Sequence, residues 1–174
     1  MAWEVKKDED RDEWAFEPLV GVGGLTFGSP LTEVRLHLGA VPWQPAGASE
    51  WIVETEESFT ELGVTLYADK TGRLMAVAVD ALRGPQVRVA GMPVTGRVPS
   101  VLDQWLCEYN QEHGFEPRYS PDGGPVSPEL GLFIRAQRAG DVLLTRPIFL
   151  APQWTRDVWD CMHSSEWRLG GYRA

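Results

Sequence analysis

Nothing in this 174-residue chain approaches the roughly 20 consecutive apolar residues of a membrane span. Its opening stretch, MAWEVKKDEDRDEW, has no apolar h-region, which predicts no signal peptide and a cytoplasmic location. Cysteine is scarce too. Cys107 and Cys161 are the only two, both within segments that read as helices, so a disulfide scaffold is excluded and reduced core thiols are expected. Basic charge is the third shortage, with 16 Lys and Arg against 25 Asp and Glu and a net charge of −9. Residues 1–20 hold seven acids against three bases, and residues 50–61 hold five acids and no base. Binding to nucleic acid or to an anionic membrane draws on counterion release from a basic surface, so neither is expected as a partner. A basic protein partner fits this charge.

Catalytic and ligand motifs are missing in the same way. Gly23-x-x-x-x-Gly28-Ser29 sits between a strand and a helix as a phosphate loop would, but no lysine follows Gly28, and Thr26 breaks GxGxxG. The glycines instead suit a tight strand-to-helix turn. The run from Asp8 to Asp12 fails as a calcium loop, with Glu13 where glycine is needed and Leu19 where glutamate is needed. His37, His113 and His163 have no metal-ligand spacing, and no serine lies in a GxSxG elbow. A Cys107/His113 pair is the nearest approach to a nucleophile and base, but a core thiol beside a surface histidine is the reading the sequence favours. No cofactor, metal ligand or catalytic residue is assigned.

What is present is a repeat. Residues 62–79, LGVTLYADKTGRLMAVAV, lie without a gap over residues 130–147, LGLFIRAQRAGDVLLTRP, at an offset of 68. Leu62/Leu130, Gly63/Gly131, Ala68/Ala136 and Gly72/Gly140 are identical. Each stretch reads as a β-hairpin, with Asp69-Lys70-Thr71-Gly72 as the first turn. The offset also matches Gly23/Gly91, Gly28/Gly96, Val34/Leu102 and Leu38/Leu106. Upstream of each hairpin comes a strand and then a helix: Leu31, Val34 and Leu38 form one apolar stripe, and Val98, Leu102, Trp105, Leu106 and Tyr109 another. Residues 86–94 read as a strand in which Pro93 marks an edge position or an end.

These patterns predict one α+β domain, a mainly antiparallel sheet of six to eight strands with three helices, built from a duplicated strand–helix–hairpin unit. Its halves are residues 21–79 and 89–147. An acidic, solvated arm occupies residues 1–17, in which Trp3, Trp14 and Phe16 offer docking groups, and residues 148–174 add a strand, a helix opened by Pro152 and a tail.

The two linkers that precede the hairpins differ. Residues 114–128 are rich in Pro and Gly, whereas residues 50–61 are acidic, and function is expected where a duplicated scaffold has diverged. Glu50, Trp51, Glu54, Glu56, Glu57 and Glu61, with Trp159 of the third helix, are therefore the candidate partner-binding residues. Together with the phrase GLTFGSPLTEVRLHLG and the later LGVTLYAD, the chain resembles small, uncharacterised actinobacterial proteins of the polymorphic-toxin immunity type over about residues 21–150. That resemblance implies a non-enzymatic module that binds and neutralises a basic toxin. The alternative is a small-molecule-binding domain or enzyme using a cleft between the halves, and a deep concavity with convergent polar groups would favour it.

Overall fold

The computed structural model describes residues 3–39, 41–46, 55–156 and 166. Its first four strands are two residues each: β1 (Glu13–Trp14), β2 (Phe16–Glu17), β3 (Gly21–Val22) and β4 (Leu25–Thr26). Gly23 and Gly24, both at positive φ, turn β3 into β4, so the stretch that reads as one strand is a hairpin. Helix α1 (Leu31–Leu38) buries Leu31 and Val34. Pro30 takes its N-cap in extended backbone, because the Ser29 carbonyl accepts from Leu74 N and holds the chain straight there.

β5 (Gln44–Ala46) and β6 (Thr55–Phe59) lead into the hairpin β7 (Val64–Ala68) and β8 (Leu74–Val79), whose residues are all buried. Asp69 Oδ1 fixes its turn by accepting from Thr71 N at 2.8 Å, Thr71 Oγ1 at 2.7 Å and Arg73 N at 3.1 Å. A tight turn through Ala90 and Gly91 joins β9 (Gln86–Val89) to β10 (Met92–Pro93) and puts Pro93 in an edge strand, as expected. Helix α2 (Pro99–His113) is closed by Gly114 in the left-handed region. Its inward residues are Leu102, Leu106 and Asn110, with Trp105 and Tyr109 half-buried beside them. Val98 departs from the expected stripe: it precedes the helix in extended backbone and is exposed. Cys107 is exposed as well, and Cys161 lies outside the described residues.

β11 (Arg118–Tyr119), β12 (Pro125–Ser127), β13 (Leu132–Ala139) and β14 (Val142–Leu150) complete an eight-stranded antiparallel sheet in the order β11-β12-β13-β14-β8-β7-β6-β5. Both α-helices cover one face, over Leu66, Val77, Val79, Leu132, Ile134 and Phe149. The other face carries a second core with Tyr67, Phe133, Ile148, Leu150 and Trp154. Two three-stranded sheets, β2-β3-β4 and β1-β9-β10, flank the main one.

Element order is the same in both halves: a short hairpin, a helix, then four strands of the main sheet. The halves join at β8 and β14, which pair through Ala78–Ile148, Val77–Phe149 and Ala76–Leu150. Continued by one residue, that register sets Val79 opposite Pro147, two positions 68 apart, and continued by two it sets Asp80 opposite Arg146. The ladder stops at this point. Proline has no N–H to give, β8 ends at Val79, and Thr145 instead exchanges backbone bonds with Gly96 and Arg97.

A third helix is not confirmed: Pro152–Trp154 is a 3₁₀ turn, the stretch that was to continue it falls on residues 157–165, outside the described residues, and Glu166 beyond them is helical. The expectation of a solvated arm needs correction. The arm at residues 3–17 is docked. The buried Arg11 donates to the carbonyls of Lys6, Gly84, Ala81 and Leu82, Lys6 N donates to Leu82 O, and β1 pairs in parallel with β9. An arginine answered by four carbonyls has no sequence signature inside a charged run. Among the described residues, no helix is long and apolar enough to cross a membrane.

Gly131 and Gly140 separate two uses of glycine. Both have positive φ, but a Cβ on Gly131 would stand 2.6 Å from Leu150 O, whereas one on Gly140 would meet only Trp3, at 3.6 Å. Gly140→Ala is expected to cost about 1 kcal/mol, the strain of a left-handed alanine. Gly131→Ala should cost about 2 kcal/mol or more beyond that, since the strand ends must also part. Equal urea midpoints for the two variants would contradict this.

Candidate functional site

The face of the sheet away from the helices owes its chemistry to the register. Thr65, Ala78 and Ile148 lie in one row, and Tyr67, Ala76 and Leu150 in the next. The two alanines leave room above the middle of the sheet. Arg146 fills part of it, directly opposite Arg135 on β13. Like charges so placed repel, and Glu166 answers both. It accepts from Arg146 Nε at 2.9 Å and Nη2 at 2.8 Å, its backbone carbonyl accepts from Arg135 Nη2 at 2.9 Å, and the Tyr67 hydroxyl donates to the same carboxylate. Arg135 also pairs with Asp122.

Burial works to raise the Glu166 pKa, but the charge and hydrogen bonds of Arg146 outweigh it and hold the carboxyl below its ordinary value of 4.5. Tyr67 is pushed well above 10.0, first by burial and then by the Glu166 charge. The network therefore stays ionised at neutral pH, with the phenol protonated.

Beside it, where β8 and β14 part, lies a cavity of about 340 Å³. Ser58, Thr60, Thr65 and Asp80 give it polar walls, Trp3, Val64 and Leu82 give it apolar ones, and Arg83 stands at its exposed rim. Arg146 also lines it, with only 5 % of its side chain exposed. Nε and Nη2 are committed to Glu166, with Nη2 also 3.5 Å from Thr65 Oγ1. Nη1 has no acceptor within hydrogen-bond distance among the described residues; the nearest carboxylate oxygen is Asp80 Oδ2 at 3.8 Å. The arrangement can offer a ligand one arginine N–H pair, one carboxylate and three hydroxyls at an apolar-walled pocket.

The acidic candidates are placed differently. Glu57 lies opposite Leu66 and so points under α1, where it is fully buried and pairs with both Nε and Nη2 of Arg35. Glu56 lies opposite Tyr67 on the other face and is buried too. Glu56 and Glu57, expected as partner-binding residues, are thus buried on opposite faces of a strand, residues 55–59, within the sheet. Glu61 is exposed, while Glu50, Trp51, Glu54 and Trp159 lie outside the described residues. Among the described residues, no group of three His, Cys, Asp or Glu is placed to hold a metal ion.

Sequence reasoning missed Arg146, Asp80, Glu166 and Tyr67, and named Trp3 only as a docking group of the arm. One signal was there to find, a lone arginine followed by proline inside the apolar run LLTRPIFL. Comparisons with protein-family models, curated proteins and solved structures find no match to this chain.

The Glu166 carboxylate has a folded pKa below its unfolded one. Its contribution is thus present above pH 4.5 and is lost as the pH falls through the lower folded value. Glu166→Gln leaves Arg146 buried without its partner and should cost about 3 kcal/mol at pH 7 in urea unfolding. Below about pH 4 the gap between variant and wild type should narrow. A gap that stays constant down to pH 3 would show that Glu166 is not the stabilising charge.

Proposed function

We propose that this chain is a binding domain for a small molecule, with the cavity walled by the arm, the first half and Arg146 of the second as the recognition site. The observation that carries this reading is Arg146 Nη1, a donor on a nearly buried side chain with no acceptor within hydrogen-bond distance among the described residues, at a cavity of about 340 Å³. That volume is at the small end of ligand pockets, room for a metabolite but not for a dinucleotide. Desolvated arginine donors are costly to leave unmade, so an acceptor-bearing ligand gains both the hydrogen bond and the burial of its apolar part.

We infer also that the halves are copies of one unit. The shared element order supports this, as does a seam register that sets positions 68 apart opposite each other. In that reading the cavity is where the twofold is broken: β8 leaves at Asp80 while β14 runs on to Val142.

A protein-binding role of the immunity type has one observation in its favour. Val98, Val101 and Leu143 are exposed, and Leu143 lines a groove with Pro99 and the acidic Asp103 at the start of α2. A host protein captured by the wild type and lost with Val101→Asp would favour that reading.

The cavity reading is tested with 8-anilinonaphthalene-1-sulfonate, which combines an apolar body with an anionic acceptor. It should bind the native protein saturably, one molecule per chain, with a rise in fluorescence. Ser58→Trp, which fills the cavity from its wall, should abolish binding while the urea midpoint is retained. Absence of saturable dye binding to the native chain would overturn the reading.

A further inference from the structure

Resting on that cavity reading, we infer that the occupant is a free α-amino acid with an apolar side chain. The argument begins with Asp80. Its Oδ1 accepts from the backbone N–H groups of Leu82 and Arg83, both at 2.9 Å, whereas among the described residues Oδ2 accepts a hydrogen bond only from Gln137 Nε2, at 2.8 Å. Oδ2 therefore keeps acceptor capacity. Its side chain is 28 % exposed, and it lines the same cavity as Arg146. Arg146 Nη1 and Asp80 Oδ2 form an ion pair at 3.8 Å, longer than a hydrogen bond, so at one pocket each keeps hydrogen-bonding capacity for a ligand.

Charge narrows the ligand class. A plain carboxylate placed on Arg146 would lie against Asp80, and a plain amine placed on Asp80 would lie against Arg146, so either meets repulsion as well as attraction. A zwitterion with both groups on one carbon meets each charge with its opposite. Arg83 adds a second cation at the rim, but it is exposed and solvent screens it. The hydroxyls of Ser58, Thr60 and Thr65 serve either end of the ligand, since each donates and accepts. The remaining walls are Trp3, Val64 and Leu82, which suit an apolar side chain.

The test is displacement of the naphthalene dye, checked by calorimetry, with the twenty standard L-amino acids on the full chain. One or more of leucine, isoleucine, methionine, valine and phenylalanine should compete, and aspartate, glutamate, lysine and arginine should not. The N-acetyl and the carboxamide derivatives of the best competitor should each bind at least tenfold more weakly, because each removes one charged contact. Asp80→Asn should weaken the amino acid but not its deaminated carboxylic acid. As that aspartate also holds a turn, the blocked derivatives on wild-type protein decide the matter if the variant unfolds. Saturable dye binding with no competing amino acid, or equal competition by the deaminated acid, overturns this inference and leaves the cavity reading standing. Failure of the dye itself overturns both.

Discussion

A guanidinium buried in a β-sheet must be met by charge, and meeting Arg146 organises much of this molecule. Removing such a cation from water costs several kcal/mol, and attraction offsets that only if the remaining donors find partners. Glu166 supplies two of the contacts, although it stands 20 residues away in sequence. Supplying them brings part of the C-terminal segment onto the face the helices leave uncovered, and Arg135 binds the same residue through its backbone carbonyl. Ala76 and Ala78 put small side chains between Tyr67 and Thr65 on one side and Leu150 and Ile148 on the other, next to Arg146. The hairpin of residues 62–79 thus contributes by being small where its partner is charged.

The open side of Arg146 follows from how the half-sheets meet. Only three residue pairs join β8 to β14, and the register that would next pair Asp80 with Arg146 is not continued. Asp80 instead caps the turn that follows it, and the carbonyls of Ala81, Leu82 and Gly84 in that turn are gathered by Arg11. The N-terminal arm therefore holds open the place where β8 departs, and Trp3 of the same arm forms one wall of the cavity. Arm, turn and cavity form one mechanical unit, and release of Arg11 would loosen all three.

Much of the scaffold was legible in the chain because backbone requirements leave local marks. The period of 68 reflects repeated turn glycines, and Gly63 and Gly131 share a close approach that no side chain fits. The Asp69 turn, both helices and the edge position of Pro93 follow from equally local rules. Strands of two residues leave no periodicity, so β1 to β4 could not be read. The third helix, drawn from Pro152, is not confirmed: Pro152–Trp154 is a short 3₁₀ turn and residues 157–165 lie outside the described residues.

The site was much less legible, for a physical reason. A run of acids reads as solvated unless its strand is known to be covered on both faces, which is why Glu56 and Glu57 misled. Buried charge depends on partners distant in sequence: Arg35 for Glu57, Glu166 for Arg146, backbone carbonyls for Arg11. None of these pairings has a spacing rule. What the chain does display is the anomaly itself, a single charged residue in an otherwise apolar strand.

The central claim is that Arg146 is fastened on one side and open on the other, and arginine side-chain NMR addresses it directly. With Nε and Nη2 bound to Glu166 and Nη1 at the cavity, the account requires a slowly exchanging Nε–H and two resolved Nη groups. The Nη1 protons should exchange with water much faster than those of Nη2. A single averaged Nη signal, exchanging like that of the exposed Arg83, would contradict it.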